Sequence, residues 1–188
     1  MHAIINSDPM NQTISLEDGR KLGFAEYGDP AGRVVFHCHG GAGSRLERPA
    51  DEAILTDLGL RLVSTDRPGH GLSDPQPDRK LLDWPGDVSR LADHLGLDKF
   101  YVMGWSAGGP HTLACAYRLA DRVLAGAIVS GLAPPDRPTP YEGLPFTNRI
   151  LMFAFRRRLS NSRLTVLSGQ AHLYLLARWP EVLAALVG

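Results

Sequence analysis

Four short apolar runs, at residues 34–38, 60–64, 100–103 and 125–129, are each bounded by Gly, Pro or Asp, and stretches of helical character at 48–58, 83–95 and 108–119 separate them. Runs of this length, apolar at consecutive positions, suit strands covered on both faces. Strand and helix in strict alternation predict a mostly parallel, doubly wound α/β sheet. Ahead of these, residues 13–16 and 21–27 flank Asp18-Gly19, a two-residue hairpin signal, so the sheet is expected to open with an antiparallel pair. A chain of 188 residues that is 44% hydrophobic can bury one core, which argues for a single domain over 1–188.

Beyond Ser130 the pattern changes. Residues 131–141 are rich in proline, 144–159 read as one helix, 163–167 as a strand, and a last helix ends near Val187. The stretch 131–162 then reads as a crossover, and its length of about 30 residues suits one right-handed βαβ connection that lays 163–167 beside 125–129; the resemblance named below implies that it is also a shortened cap. The helix at 144–159 ends on Arg156-Arg157-Arg158, read as the basic end of a crossover or remnant-cap helix rather than a lipid-touching lid.

Lys plus Arg equals Asp plus Glu at 20 each, so no broad field draws nucleic acid or acidic membrane, and a small-molecule substrate is the expected partner. Cys38 and Cys115 lack the number and spacing of a disulfide framework. Met1 to Gln12 shows no basic start followed by an apolar stretch, and no run has the length of a membrane span, so a cytoplasmic location is expected.

The chemistry concentrates at Gly104-Trp105-Ser106-Ala107-Gly108, which follows the run 100–103 and opens a helical stretch. Strand, tight turn and helix form an elbow, the setting in which a serine hydroxyl is presented as a nucleophile. Small residues on either side let the strained turn approach its neighbours, and the helix N-terminus aims N–H groups at developing negative charge. After the run 34–38 comes His39-Gly40-Gly41-Ala42-Gly43-Ser44, a glycine turn able to bring a second N–H to the same oxyanion, which makes Gly41 and Ala107 the two expected donors. This loop lacks the Lys-Ser/Thr ending of a phosphate loop and the spacing of a dinucleotide fingerprint. His37 and His39 flank Cys38 at alternate positions, on one strand face with no third ligand nearby, so no metal is expected.

With these motifs in hand, the chain resembles the α/β-hydrolase family, in its serine esterase and aminopeptidase-like branch. His39-Gly40-Gly41, Asp66-Arg67-Pro68-Gly69-His70-Gly71-Leu72-Ser73 and Gly104 to Gly108 match in order. The resemblance implies that Asp66 and His70 shape the loop after the fourth strand as scaffold. It also likens Arg163 to Leu173 to the family's last strand and histidine loop, which implies His172 as general base. An imidazole there would take the proton of Ser106 and return it to the leaving group.

The departure is the acid, which in the family usually follows a seventh strand that this chain lacks. Asp136, a few residues beyond the run 125–129, is the best remaining candidate, with Glu142 a poorer one. The expected function is hydrolysis of a small carboxylic ester or related acyl compound without a cofactor. The alternatives are a weak or inactive homologue that binds a small ligand or partner, and an internally shortened, marginally folded form of a longer enzyme. A serine at the elbow disfavours the chemistries of relatives that use an aspartate nucleophile, and an N-terminal peptidase would need acidic groups in a cap that is here reduced.

Overall fold

The computed structural model describes residues 8–129 and 174–188. Among them six strands form one sheet: β1 (Gln12–Ser15), β2 (Lys21–Gly28), β3 (Arg33–Cys38), β4 (Leu60–Thr65), β5 (Phe100–Trp105) and β6 (Val123–Val129), in the order β1-β2-β4-β3-β5-β6. The pairs β1/β2 and β2/β4 are antiparallel, and the rest are parallel. The expected mixed sheet with an antiparallel opening is therefore present.

The hairpin turn differs from the two-residue form expected from Asp18-Gly19. Leu16 N–H donates to the Arg20 carbonyl, Gly19 N–H donates to the Leu16 carbonyl, and Gly19 has φ +85°. This is a three-residue loop closed by a left-handed glycine, which gives the strands the same twist as the shorter turn.

Helices α1 (Ala53–Asp57), α2 (Trp84–His94), α3 (Gly108–Arg118) and α4 (Tyr174–Val187) cover the two faces. The side chains that alternate along β3 divide between them. Val34, Phe36 and Cys38 join Phe24, Val63, Val88, Leu91 and Val102 in one core, under α2 and α3. Val35 points the other way, into a core with Leu62, Met103, Trp179 and Leu183 under α1 and α4. Each fully buried large apolar side chain contributes about 1.5–3 kcal/mol relative to exposure, so both faces are needed to hold the sheet.

The stretch expected to be helical from 48 to 58 is helical only over Ala53–Asp57. Pro49 disfavours helical backbone at residue 48. The preceding residues are also committed elsewhere: the Glu47 carbonyl accepts from Ser64 Oγ, and the Leu46 carbonyl from Arg48. The expected strand 163–167 and helix 144–159 lie outside the described residues. No helix among the described residues is long and apolar enough to cross a membrane.

Candidate active site

The sheet order brings the two glycine-bearing turns together. β3 and β5 are parallel neighbours in a register that pairs Cys38 with Gly104, so residues three beyond each, Gly41 and Ala107, leave the sheet at the same end. A methyl group placed on Gly41 would lie 3.9 Å from Ala107 Cβ. Neither the Gly41 nor the Ala107 N–H donates a hydrogen bond among the described residues.

Ser106 follows the last residue of β5 and has φ +51°, a left-handed backbone that a serine adopts only under constraint. The constraint is visible on both sides. Ser106 N–H donates to the Val129 carbonyl at 3.0 Å, and the Ser106 carbonyl accepts from Gly109 N–H at 3.0 Å. Gly108, the first residue of α3, is wedged against β3: a Cβ there would fall 1.9 Å from the Cys38 carbonyl oxygen. A Cβ on Gly104 would fall 2.5 Å from the Gly108 carbonyl oxygen. Any larger side chain at either position would therefore force β3, β5 and α3 apart.

The loop beyond β3 is braced by buried polar groups. β3 ends at Cys38, so His39 lies in the loop rather than on a strand face with His37, as alternation alone would have it. The two rings have separate surroundings. His37 Nε2 sits 2.6 Å from Glu47 Oε1, and its ring meets the Trp179 ring edge-on at 5.1 Å. His39 is fully buried; its Nδ1 lies 2.7 Å from the Gly40 carbonyl oxygen, its Nε2 3.3 Å from the Arg67 backbone nitrogen, and its ring 4.9 Å from that of His70. These partners place the proton on Nδ1 and leave Nε2 as an acceptor. Burial, reinforced by the neighbouring Arg67 charge, pushes the His39 pKa down to about 3 despite the Gly40 carbonyl, so the ring is neutral at pH 7. No group of three or more metal-ligating side chains occurs among the described residues.

Asp66 is buried and works as framework: its carboxylate accepts from Arg45 N–H at 2.6 Å, Leu72 N–H at 2.8 Å and Arg45 Nη1 at 3.1 Å. His70 contacts the Pro68 carbonyl and the His39 ring. His172 and Asp136 lie outside the described residues. Glu47 and Arg67 were not singled out by sequence reasoning. Arg67 is 4% exposed, and its guanidinium reaches the carbonyls of Gly40 at 2.8 Å and Ala107 at 3.5 Å. Burial lowers its pKa. Arg67 lies in the Asp66–Ser73 motif, but the motif does not mark this role, because its partners are backbone oxygens brought together only by the fold.

A cleft of about 140 Å³ opens beside the elbow, lined by Pro68, Gln76, Arg79, Lys80, Trp84 and His111 among others, but not by Ser106. His111 joins the two regions, since its Nδ1 lies 3.0 Å from the Ala107 carbonyl oxygen. Burial, followed by the charge of Arg67, lowers the His111 pKa to about 4.

A strained serine between a parallel strand and a helix, with a glycine loop from the adjacent strand beside it, defines the α/β-hydrolase class of site. The sequence profile of the alpha/beta hydrolase fold matches residues 33–177, and the chain belongs to that family. It is 36% identical over 121 residues to a proline iminopeptidase from Xanthomonas citri, covering 61% of this chain and 36% of that protein. It is 27% identical over 123 residues to a bifunctional esterase/perhydrolase from Acinetobacter calcoaceticus, covering 65% and 45%. The chain spans about a third to a half of the length of the curated relatives it matches. Among solved structures, a CIB-like hydrolase from Thermoplasma acidophilum superposes with a TM-score of 0.66 at 17% identity, covering 93% of this chain and 94% of that one, a likeness of fold.

Proposed function

We propose that the protein is a serine hydrolase acting on a small carboxylic ester or related acyl substrate. The observation that carries this reading is the backbone of Ser106, held at φ +51° at the mouth of the elbow beside Gly41 and Ala107. A nucleophile presented this way needs a base to remove its proton, and His172 takes that role by its resemblance to the family's histidine loop, with Asp136 as the candidate carboxylate behind it. Ser106 Oγ would attack the carbonyl carbon while its proton passes to His172. The carbonyl oxygen, now negative, would take hydrogen bonds from Gly41 and Ala107 N–H. His172 would then protonate the departing alcohol, and water would release the acyl group from Ser106 by the same steps in reverse. The substrate is a small molecule, and no cofactor or metal enters the scheme.

Esterase and iminopeptidase relatives both fit acyl transfer at such a site. The test is labelling of the purified protein with a fluorophosphonate, beside Ser106→Ala and His172→Ala. Labelling of the parent that disappears in both variants supports the reading. A folded parent that neither labels nor hydrolyses p-nitrophenyl acetate refutes it and favours a ligand-binding homologue.

A further inference from the structure

We propose that Glu47 and Arg67 form a charged clamp on Gly40 that fixes the direction of the Gly41 N–H, which makes Arg67 a positioning residue for the oxyanion; this rests on the serine-hydrolase reading above. The two contacts bracket one residue. Gly40 N–H donates to the Glu47 carboxylate, at 3.3 Å to Oε1 and 3.2 Å to Oε2. The Gly40 carbonyl accepts from Arg67 Nη2 at 2.8 Å, the charged one of three donors beside His39 Nδ1 at 2.7 Å and Gly43 N–H at 3.2 Å. With both peptide units around Gly40 tied down, its φ and ψ are set, although glycine is the residue with the least intrinsic preference.

The consequence for Gly41 follows from peptide geometry. In a planar trans peptide the C=O and N–H point in opposite directions. Because the Gly40 carbonyl faces Arg67, the N–H of the same peptide, which belongs to Gly41, is turned away from Arg67. The same guanidinium approaches the Ala107 carbonyl at 3.5 Å, so one buried group touches the backbone of both turns that border the elbow.

Charge adds to position. Arg67 is buried, and no carboxylate forms an ion pair with it among the described residues. Its contacts are neutral carbonyls and the neutral His39 ring. A buried cation that makes no direct ion pair interacts favourably with negative charge that develops nearby and is poorly screened by solvent. The Glu47 charge favours the Arg67 cation without a direct ion pair, and Glu47 is itself held 2.6 Å from His37 Nε2.

The experiment compares Arg67→Met, Arg67→Lys and Glu47→Ala with the parent, by p-nitrophenyl acetate kinetics and by amide hydrogen exchange at Gly40 and Gly41. Removing one direct oxyanion donor costs about 10²–10³ in kcat, so a donor that is misaimed rather than lost predicts about a 10- to 100-fold fall in kcat for Arg67→Met, with KM changed less than about threefold. Arg67→Lys keeps the charge, loses the planar fork and should recover part of the loss. Glu47→Ala should speed exchange of the Gly40 amide at least about tenfold while the protein stays folded. Parent-like kcat in folded Arg67→Met, or in Arg67→Lys if the methionine variant does not fold, overturns the positioning role. So does parent-like Gly40 exchange in Glu47→Ala. If the parent is inert to both ester and fluorophosphonate, the serine-hydrolase reading falls, and the exchange result alone decides whether the clamp exists.

Discussion

Acidification should destabilise this protein through His39 in a way that can be isolated by one substitution. The ordinary pKa of a histidine is 6.5, and in the folded chain His39 is held down at about 3, chiefly by burial and secondly by Arg67. Its other ionisable neighbours, His70 and His37, press in the same direction. A depressed folded pKa means that the unfolded chain binds more protons between roughly pH 6.5 and pH 3. Stability from this group is therefore complete above pH 6.5 and is lost as the pH falls towards 3. At about 1.4 kcal/mol per pH unit, the 1.5 units from 6.5 to 5 correspond to a loss of about 2 kcal/mol. His111, whose pKa burial lowers to about 4, works in the same sense and contributes equally to the parent and to the His39 variant. Urea unfolding at pH 8 and pH 5 measures the total, and His39→Gln removes the one contribution, since a carboxamide can still donate to the Gly40 carbonyl and accept from Arg67 without titrating. The parent should lose about 2 kcal/mol more than His39→Gln over this interval. Equal losses in the two proteins would refute the argument.

Ser106→Gly should be more stable than Ser106→Ala by about 1 kcal/mol, because glycine accepts φ +51° without the steric cost that any Cβ brings; thermal unfolding of the pair checks this, and equal midpoints would count against strain at the elbow. Asp66→Ala should cost about 3–5 kcal/mol in urea unfolding, because it leaves the buried Arg45 guanidinium and two backbone N–H donors without their acceptor. A loss below about 1 kcal/mol would show that Asp66 does not organise its loop.

Much of this architecture could be read in the chain because the signals were local. The runs at 34–38 and 100–103 lie within β3 and β5, since continuous apolar character identifies a strand covered on both faces. The helix at 108–119 was legible because it begins at the glycine that ends the serine motif. Where the reading failed, a tertiary contact had outweighed local preference. The stretch from 48 is not helical until Ala53 because Leu46, Glu47 and Arg48 are held by contacts to β4 and to one another. The strained turn at Ser106 and the glycine loop at Gly41 were placed by motif alone. Glu47 stood in no motif and Arg67 stood in the Asp66–Ser73 motif without a role, because what they bind is the peptide backbone of Gly40, and no pattern of side chains records where a carbonyl will point. His172 and Asp136 rest on resemblance and lie outside the described residues.

The positive φ of Ser106 persists because three elements oppose its relaxation at once. Rotating the serine back to an ordinary conformation would break its N–H bond to the Val129 carbonyl at the end of β6 and move Gly108, which has no room against the Cys38 carbonyl on β3. The end of β3 is in turn continuous with the loop whose Gly40 is held by Glu47 and Arg67. Elbow and glycine loop are thus not separate parts that meet at the site. They share the Cys38–His39 backbone as a common wall, so a displacement there shifts Ser106 together with Gly41 and Ala107. Substitutions at Gly108 and Arg67 should consequently show non-additive effects, as residues coupled through a shared backbone do.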